Sequence, residues 1–156
     1  MELKFYHIYI IYTLALGIMV LAVVPRPEIR RLSFLGIIYG AITDFWIIIF
    51  ATHLLGVGGY KNYYPFAFMG IPFFPLLAWT FYFILYLFFL PQRKPWIIIY
   101  TIVAAGYSTI FSNILQNLGI FQWNVGRLFI PYLLYLTWFS IVTFTYYKYF
   151  KNKEFY

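Results

Sequence analysis

Apolar residues run along this chain in five long stretches that polar or charged residues interrupt only briefly. The stretches cover about residues 5–24, 32–55, 71–90, 96–115 and 128–147. Each is long enough to cross the ~30 Å hydrocarbon core of a bilayer as a helix. A membrane β-barrel would need alternating apolar and polar residues, and continuous runs such as TrpIleIleIle at 46–49 do not alternate. The pattern predicts an all-α, polytopic membrane helix bundle of five transmembrane helices in a single integral membrane domain, residues 1–156.

Composition favours the same class and excludes others. Hydrophobic residues fill 64% of the 156 positions and charged residues only 10%, against roughly half and a quarter in a soluble domain. A net charge of +7 would suggest nucleic acid in a soluble protein, but these basic residues cluster at the ends of the apolar stretches. We therefore expect a lipid bilayer around the chain and no nucleic-acid partner. Cysteine is absent, which excludes disulfides and thiolate metal sites.

The basic residues between the stretches predict the orientation of the helices. Eight fall on one side, namely Arg26, Arg30, Arg31, Arg93, Lys94, Lys148, Lys151 and Lys153, and three fall on the other, Lys4, Lys61 and Arg127. Cytoplasmic connections carry the excess of Lys and Arg, so the first side is expected to be cytoplasmic. The N-terminus is then outside and the C-terminus inside, which requires an odd number of spans.

The two connections expected outside are nearly uncharged and rich in glycine and aromatic residues. They cover residues 56–70 and 116–127. Tyr and Trp favour the bilayer interface because an apolar ring carries one polar atom. These loops should lie on the outer surface or dip into it, either as a simple aromatic belt or as a lid over a ligand cavity.

The first two predicted helical hairpins resemble each other in layout. ValProArgPro at 24–27 parallels LeuProGlnArg at 90–93, and LeuGlyVal at 55–57 parallels LeuGlyIle at 118–120. Two explanations stay open. One is a parallel repeat of two hairpins with the fifth helix added; the other is the likeness that apolar helices ending in Pro and Gly share by necessity.

Asp44 is the only Asp or Glu inside the apolar stretches. It lies ~18 Å from the predicted cytoplasmic start of its helix, close to the middle of the bilayer. A carboxyl group costs about 2.5–3.5 kcal/mol there, so such residues face the protein interior or water. We expect Asp44 to be neutral unless water, an ion or a cationic ligand reaches it. It is then either a protonated packing residue or a ligand or proton site.

Small and polar residues line two of the predicted helices. Gly36 and Gly40 share a helix face with Asp44, and their four-residue spacing lets another helix approach closely, within the chain or in a dimer. The fourth stretch carries two polar stripes: Ala104, Ser108, Ser112, Gln116 and Ala105, Thr109, Asn113, Asn117. Ser108 should lie at the depth of Asp44, with Ser112, Asn113 and Gln116 further out. Together these residues predict an outward-facing polar cavity, unless the stripes serve only hydrogen bonds between helices.

Catalytic chemistry lacks the residues it needs. One carboxylate in the spans is too few for a metal–diphosphate site or an aspartyl protease, and H-E-x-x-H and G-x-S-x-G are absent. No His or Lys base is expected at the depth of Ser108 or Ser112. His7 and His53 have no neighbouring carboxylate or thiolate in sequence to complete a metal site. We expect no catalytic residue, no cofactor and no metal.

Three short segments carry a resemblance to a known group of proteins. They are ValProArgProGluIleArgArg at 24–31, PhePheLeuPro at 88–91 and LeuGlyIlePheGlnTrpAsn at 118–124. In these segments the chain resembles small multi-span membrane proteins of spore-forming Firmicutes. The resemblance implies a location integral to the bacterial cytoplasmic membrane, and it assigns no activity and no functional residue.

Taken together, the residues predict a non-enzymatic integral membrane protein that binds, and in one version translocates, a small solute in an outward-facing polar cavity around Asp44. The candidate ligand-binding residues are Asp44, Ser108, Ser112, Asn113 and Gln116. Two alternatives stay open. One is a structural or accessory subunit that meets a membrane protein partner or a second copy; the other is a lipid- or isoprenoid-modifying enzyme with Asp44 as general acid.

Overall fold

The structure is a computed structural model that describes residues 5–61, 67–68 and 71–150. It is mostly helical, at 79%, which confirms the helical class predicted from the apolar pattern. The five helices are α1 (Phe5–Val23), α2 (Arg26–Leu54), α3 (Phe73–Phe88), α4 (Lys94–Asn117) and α5 (Phe129–Thr145, continued by Tyr146–Phe150). The four short strands are β1 (Gly58–Tyr60), β2 (Ala67–Phe68), β3 (Ile71–Pro72) and β4 (Phe121–Trp123). The basic residues Lys4, Lys151 and Lys153 lie outside the described residues.

Three of the helices are long and apolar enough to cross a membrane by length and composition. They are Arg26–Leu54, Lys94–Asn117 and Phe129–Tyr149. The other two apolar helices are shorter over their described residues, His7–Val23 and Phe73–Phe88. The helices therefore suit a membrane protein, and the longest of them carries Asp44.

Helix α2 begins at Arg26, several residues before its apolar stretch begins at Leu32. Its first turn contains Pro27, whose missing N–H would be unpaired at that position in any case. Only Val24 and Pro25 separate α1 from α2. Hydrophobicity alone misplaces this boundary because the first two turns of α2 are charged.

Helix α2 departs from regular α-helical geometry on both sides of Asp44. A short α-helical segment, Thr43–Ile47, lies between the π-helical segments Ile37–Ile42 and Ile48–Leu54. The Thr43 hydroxyl donates to the carbonyl of Ile38, five residues back, at 2.8 Å. π-Helical turns are rare and occur frequently at functional sites. The irregular geometry therefore lies on both sides of the one carboxyl group in the apolar part of α2.

The chain divides into two compact units, one formed by Met1–Leu90 with Leu115–Asn124 and the other by Pro91–Ile114 with Val125–Tyr156. In the first unit α3 packs against both α1 and α2. A Cβ atom added to Gly40 would lie 2.5 Å from the Trp79 carbonyl oxygen, and one added to Gly36 would lie 2.9 Å from the Thr80 carbonyl oxygen. Since real Cβ atoms do not come so close to a backbone, the contact between α2 and α3 requires glycine at both positions.

The second unit pairs most of α4 with α5. The hydroxyl groups of Thr101 and Thr143 lie 3.3 Å apart, and the Tyr132 hydroxyl donates to the Ile102 carbonyl at 3.3 Å. The Tyr147 hydroxyl donates to the carbonyl of Pro91, just before α4. Polar contacts therefore join the two helices at several levels.

The two loops predicted to lie outside pair with each other as a short antiparallel ladder of β1 and β4. Its register pairs Gly58 with Trp123, Gly59 with Gln122 and Tyr60 with Phe121. Two backbone hydrogen bonds flank the ladder, Lys61 N–H to the Ile120 carbonyl at 3.0 Å and Asn124 N–H to the Val57 carbonyl at 2.9 Å. Residues 62–66 and 69–70 of the first loop lie outside the described residues.

The ladder has a local symmetry that matches the spacing found in the sequence. Its central pair, Gly59 and Gln122, is 63 positions apart. The local two-fold axis of the ladder passes between these two residues, so it relates each β1 residue to the β4 residue 63 positions later. Gly56 and Gly119, which precede the two strands, differ by the same offset and both have positive φ, 65° and 88°. The chain thus leaves α2 and α4 through equivalent turns before the strands meet.

Candidate functional site

Asp44 lies in the first unit with 3% of its surface exposed, so its carboxyl group faces the protein interior. The Tyr60 side chain lies beside this carboxyl group. The oxygen Oδ2 is buried and has no hydrogen-bond partner among the described residues. One oxygen of the carboxyl group is therefore left without a donor in the described part of the chain.

Tyr60 reaches Asp44 from β1 and is itself held by α3. The Trp79 indole Nε1–H donates to the Tyr60 hydroxyl at 2.9 Å. The Tyr60 ring also meets Phe121 edge-on, with ring centroids 5.0 Å apart, and Tyr9 at 6.2 Å. Tyr60 is therefore held by Trp79 beside Asp44, within an aromatic cluster.

The strand that carries Tyr60 is tied to the neighbouring helices. The buried Tyr9 hydroxyl of α1 donates to the carbonyls of Lys61, at 2.6 Å, and of Ile120. The Thr52 hydroxyl of α2 donates to the Gly58 carbonyl at 2.6 Å. These bonds connect β1 to α1, α2 and the chain leading to β4, and so determine where Tyr60 lies.

The polar residues predicted on α4 are divided between the two units. Gln116 belongs to the first unit, with Asp44, whereas Ser108, Ser112 and Asn113 belong to the second. The Gln116 carbonyl oxygen Oε1 accepts the Trp123 backbone N–H at 3.1 Å. The Ser112 hydroxyl, which is buried like that of Ser108, donates to the Thr109 carbonyl at 2.8 Å.

Asn113 holds the loop that leads into α5. Its amide donates to the Arg127 carbonyl at 2.7 Å, and its Oδ1 accepts from the Arg127 guanidinium Nε at 2.6 Å. The same amide group donates to the Thr109 carbonyl at 2.9 Å. Asn113 and Arg127 are therefore joined by side-chain and backbone hydrogen bonds within the second unit.

The site around Asp44 contains two residues that the sequence analysis did not select, Tyr60 and Trp79. No helical spacing relates Tyr60 to Asp44, because α2 ends at Leu54 and the chain turns back to bring β1 to the carboxyl group. The signal available in the sequence was indirect: an aromatic loop expected to dip toward the membrane. His53 is exposed, and among the described residues no group of three His, Asp or Glu side chains forms a metal-binding cluster.

The unpaired oxygen determines what this site can do chemically. An ionised carboxylate needs a donor or a cation at Oδ2, and a neutral carboxyl group with its proton on Oδ2 needs an acceptor there. Leaving a buried polar group unpaired costs about 1–3 kcal/mol. A small cation at Oδ2 would both pair the oxygen and compensate its charge. Comparison with protein-family models, curated proteins and solved structures finds no match to the chain.

Proposed function

We propose that this chain is a non-enzymatic integral membrane protein that binds a small cationic solute at the carboxyl group of Asp44. The observation that carries the proposal is the buried Oδ2 atom, which has no partner in the described part of the chain. A cation is favoured over an anion because the group it meets is a carboxyl group. It is favoured over a neutral solute because no Lys or Arg lies within the apolar stretches to balance an ionised Asp44.

The proposal includes five transmembrane helices with the N-terminus outside, in a bacterial cytoplasmic membrane. The excess of Lys and Arg at one end of the helices supports this orientation. The shorter helices α1 and α3 pack in one unit with α2, which is long enough to span a bilayer. The resemblance to membrane proteins of spore-forming Firmicutes supports the bacterial location.

We further propose that the two hairpins α1–α2 and α3–α4 arose by duplication. Its support is the agreement between two independent observations, the 63-residue offset of the LeuGly turns and the two-fold axis of the β1–β4 ladder. In parallel repeats, binding sites form near the interface of the repeated halves. Tyr60, which follows the first hairpin, meets Phe121, which follows the second.

The solute should be small. Glycines 36 and 40, on the same face of α2 as Asp44, already bring the α3 backbone to the limit of contact. A bulky organic cation would have to separate these helices, whereas an alkali ion or a short amine would not. The hydrogen bonds that occupy Asn113 and Gln116 favour a structural role for these two amides, and leave Asp44 as the principal ligand.

The test compares thermal unfolding of the purified protein in detergent with different chloride salts at equal ionic strength. Sodium, potassium and methylammonium are the probes, and the bulky cation N-methyl-D-glucamine is the reference. A cation at ten times its Kd stabilises the folded state by about 1.4 kcal/mol, which should raise Tm by about 3–5 °C.

Two variants make the test specific. Asp44→Asn keeps the size and polarity of the side chain but cannot balance a positive charge, so it should lose the cation-dependent shift. Glu28→Gln is the matched control, because it also removes one carboxylate of α2 but from an ion pair with Arg31 at the start of the helix. The proposal fails if no probe raises the Tm of the wild type, or if Asp44→Asn responds as the wild type does.

A further inference from the structure

The elements packed against α2 bring no positive charge to the buried carboxyl group of Asp44. Helix α3 packs along α2, and β1 packs against the last turns of α2. Neither element contains a Lys, Arg, His, Asp or Glu. Their titratable side chains are Tyr60, Tyr82 and Tyr86. Tyrosines ordinarily keep their proton up to about pH 10, so these three are neutral at physiological pH.

The charged and titratable groups nearest in sequence lie elsewhere. Lys61, directly after β1, is exposed, and so is His53 near the end of α2. His7 lies at the start of α1, and the charged first turns of α2 are several turns before Asp44. Within the described part of the chain, Asp44 therefore has neither a counter-charge on the elements around it nor a hydrogen-bond donor at Oδ2.

An empty site of this kind favours the neutral carboxyl group. Burying an ionised carboxylate without a partner costs far more than burying the neutral acid, and a buried acid ordinarily avoids that cost by keeping its proton. A cation that enters the site needs the opposite form, because only the ionised group balances its charge. The proton and the cation therefore compete for the same carboxyl group.

We propose that a cation binds Asp44 in exchange for the carboxyl proton, so that each binding event releases one proton. The O–H bond of the carboxyl group breaks, its electron pair stays on the oxygen, and the proton leaves to water as the cation takes its place. The site is neutral before and after the exchange. This inference rests on the proposed function and adds that either a proton or a cation always occupies the carboxyl group.

Infrared spectroscopy tests the state of the empty site without any ligand. The protein is purified in a detergent without ester groups, at neutral pH, with N-methyl-D-glucamine chloride. The wild type should show the C=O stretching band of a protonated carboxyl group, and Asp44→Asn should lack it. Saturating methylammonium chloride should remove the band. Glu28→Gln is the matched control and should keep the wild-type behaviour, because Glu28 is ion-paired with Arg31 at the start of α2.

Proton release and pH dependence test the exchange itself. In weak buffer with a pH indicator, saturating methylammonium should release about one proton per wild-type molecule and none from Asp44→Asn. The apparent Kd for methylammonium, obtained from the rise in Tm, should fall about ten-fold for each unit of pH between about 5.5 and 7.5, since a higher pH removes the competing proton. His7→Gln and His53→Gln should leave this slope unchanged; they control for the side-chain type that ordinarily changes charge in this range.

The outcomes separate this inference from the proposed function. If the wild type lacks the Asp44 band before any cation is added, the empty site is ionised and the exchange is overturned, whatever the cation does to Tm. If methylammonium raises Tm through Asp44 but releases no proton and binds equally well at each pH, the exchange is overturned and the binding site stands. If the band is present but neither sodium, potassium nor methylammonium changes it or Tm, the proposed function fails and the exchange fails with it.

Discussion

At the scale of single residues, the buried carboxyl group of Asp44 has an oxygen without a hydrogen-bond partner. No described residue pairs with Oδ2, and the Tyr60 side chain lies beside the group. Folding could have placed a second donor there, as most buried polar groups have partners. The exception coincides with irregular helix geometry on both sides of Asp44. Both features are common at functional sites.

Substitutions of Asp44 should separate its hydrogen bonding from its charge. Asp44→Asn keeps the size and polarity of the side chain, so Tm in detergent without a binding cation should stay close to that of the wild type. Asp44→Leu replaces the polar atoms of this side chain with methyl groups, and should be less stable than Asp44→Asn by about 1–3 kcal/mol. Equal Tm values for the two variants would show that hydrogen bonding by this side chain contributes nothing to stability.

At the scale of elements, the contact between α2 and α3 depends on backbones that nearly touch. Gly40 faces the Trp79 carbonyl and Gly36 faces that of Thr80. Trp79 therefore contributes twice, since its backbone meets Gly40 while its indole holds Tyr60. Helix packing and the geometry of the site are joined at this residue.

Gly40→Ala should destabilise the protein because the new methyl group meets backbone that cannot move aside. Its Cβ would lie 2.5 Å from the Trp79 carbonyl oxygen and 2.7 Å from the Thr80 nitrogen. Overpacking of this kind costs about 1–3 kcal/mol, which should lower Tm by several degrees.

The matched control for this substitution is Gly106→Ala in α4. A Cβ there would have the Tyr132 ring as its nearest neighbour, at 3.9 Å, an ordinary contact. Alanine also favours a helix over glycine, so Tm should stay the same or rise slightly. If both variants lose the same stability, the close approach of α2 and α3 is not the reason that position 40 requires glycine.

At the scale of the whole molecule, labelling of single cysteines tests the proposed orientation of the helices in the membrane. The chain has no cysteine, so single cysteines can be introduced without background. Gln122, in β4, and Gln92, between α3 and α4, form a matched pair because both are exposed glutamines.

An impermeant thiol reagent added to intact cells should label Gln122→Cys and not Gln92→Cys. After the cells are opened, both should react, which controls for the intrinsic reactivity of each site. The expectation follows from the basic residues next to Gln92, because Arg93 precedes α4 and Lys94 begins it. Labelling of Gln92→Cys alone in intact cells would reverse the proposed orientation.

The helical class and the inward orientation of Asp44 followed from the sequence by itself. Both depend on properties that each residue carries wherever it lies: the length of an apolar stretch, and the cost of a carboxyl group in hydrocarbon. The start of α2 was not predicted from the sequence, because its first turns are charged and so lie outside the apolar stretch. The glycine spacing at 36 and 40 marked a packing face, but not which helix covers it.

Only the tertiary structure decided what surrounds Asp44. Tyr60 comes to the carboxyl group because β1 pairs with β4, whose residues lie about 60 positions further along the chain. No local pattern encodes that pairing, since it depends on where α1, α2 and α4 bring the two loops. The polar stripe of α4 illustrates the same limit: its spacing shows a shared face, but the bonds of Asn113 and Gln116 go to Arg127 and Trp123. Periodicity identifies which residues share a side of a helix, and only packing determines which partners they meet.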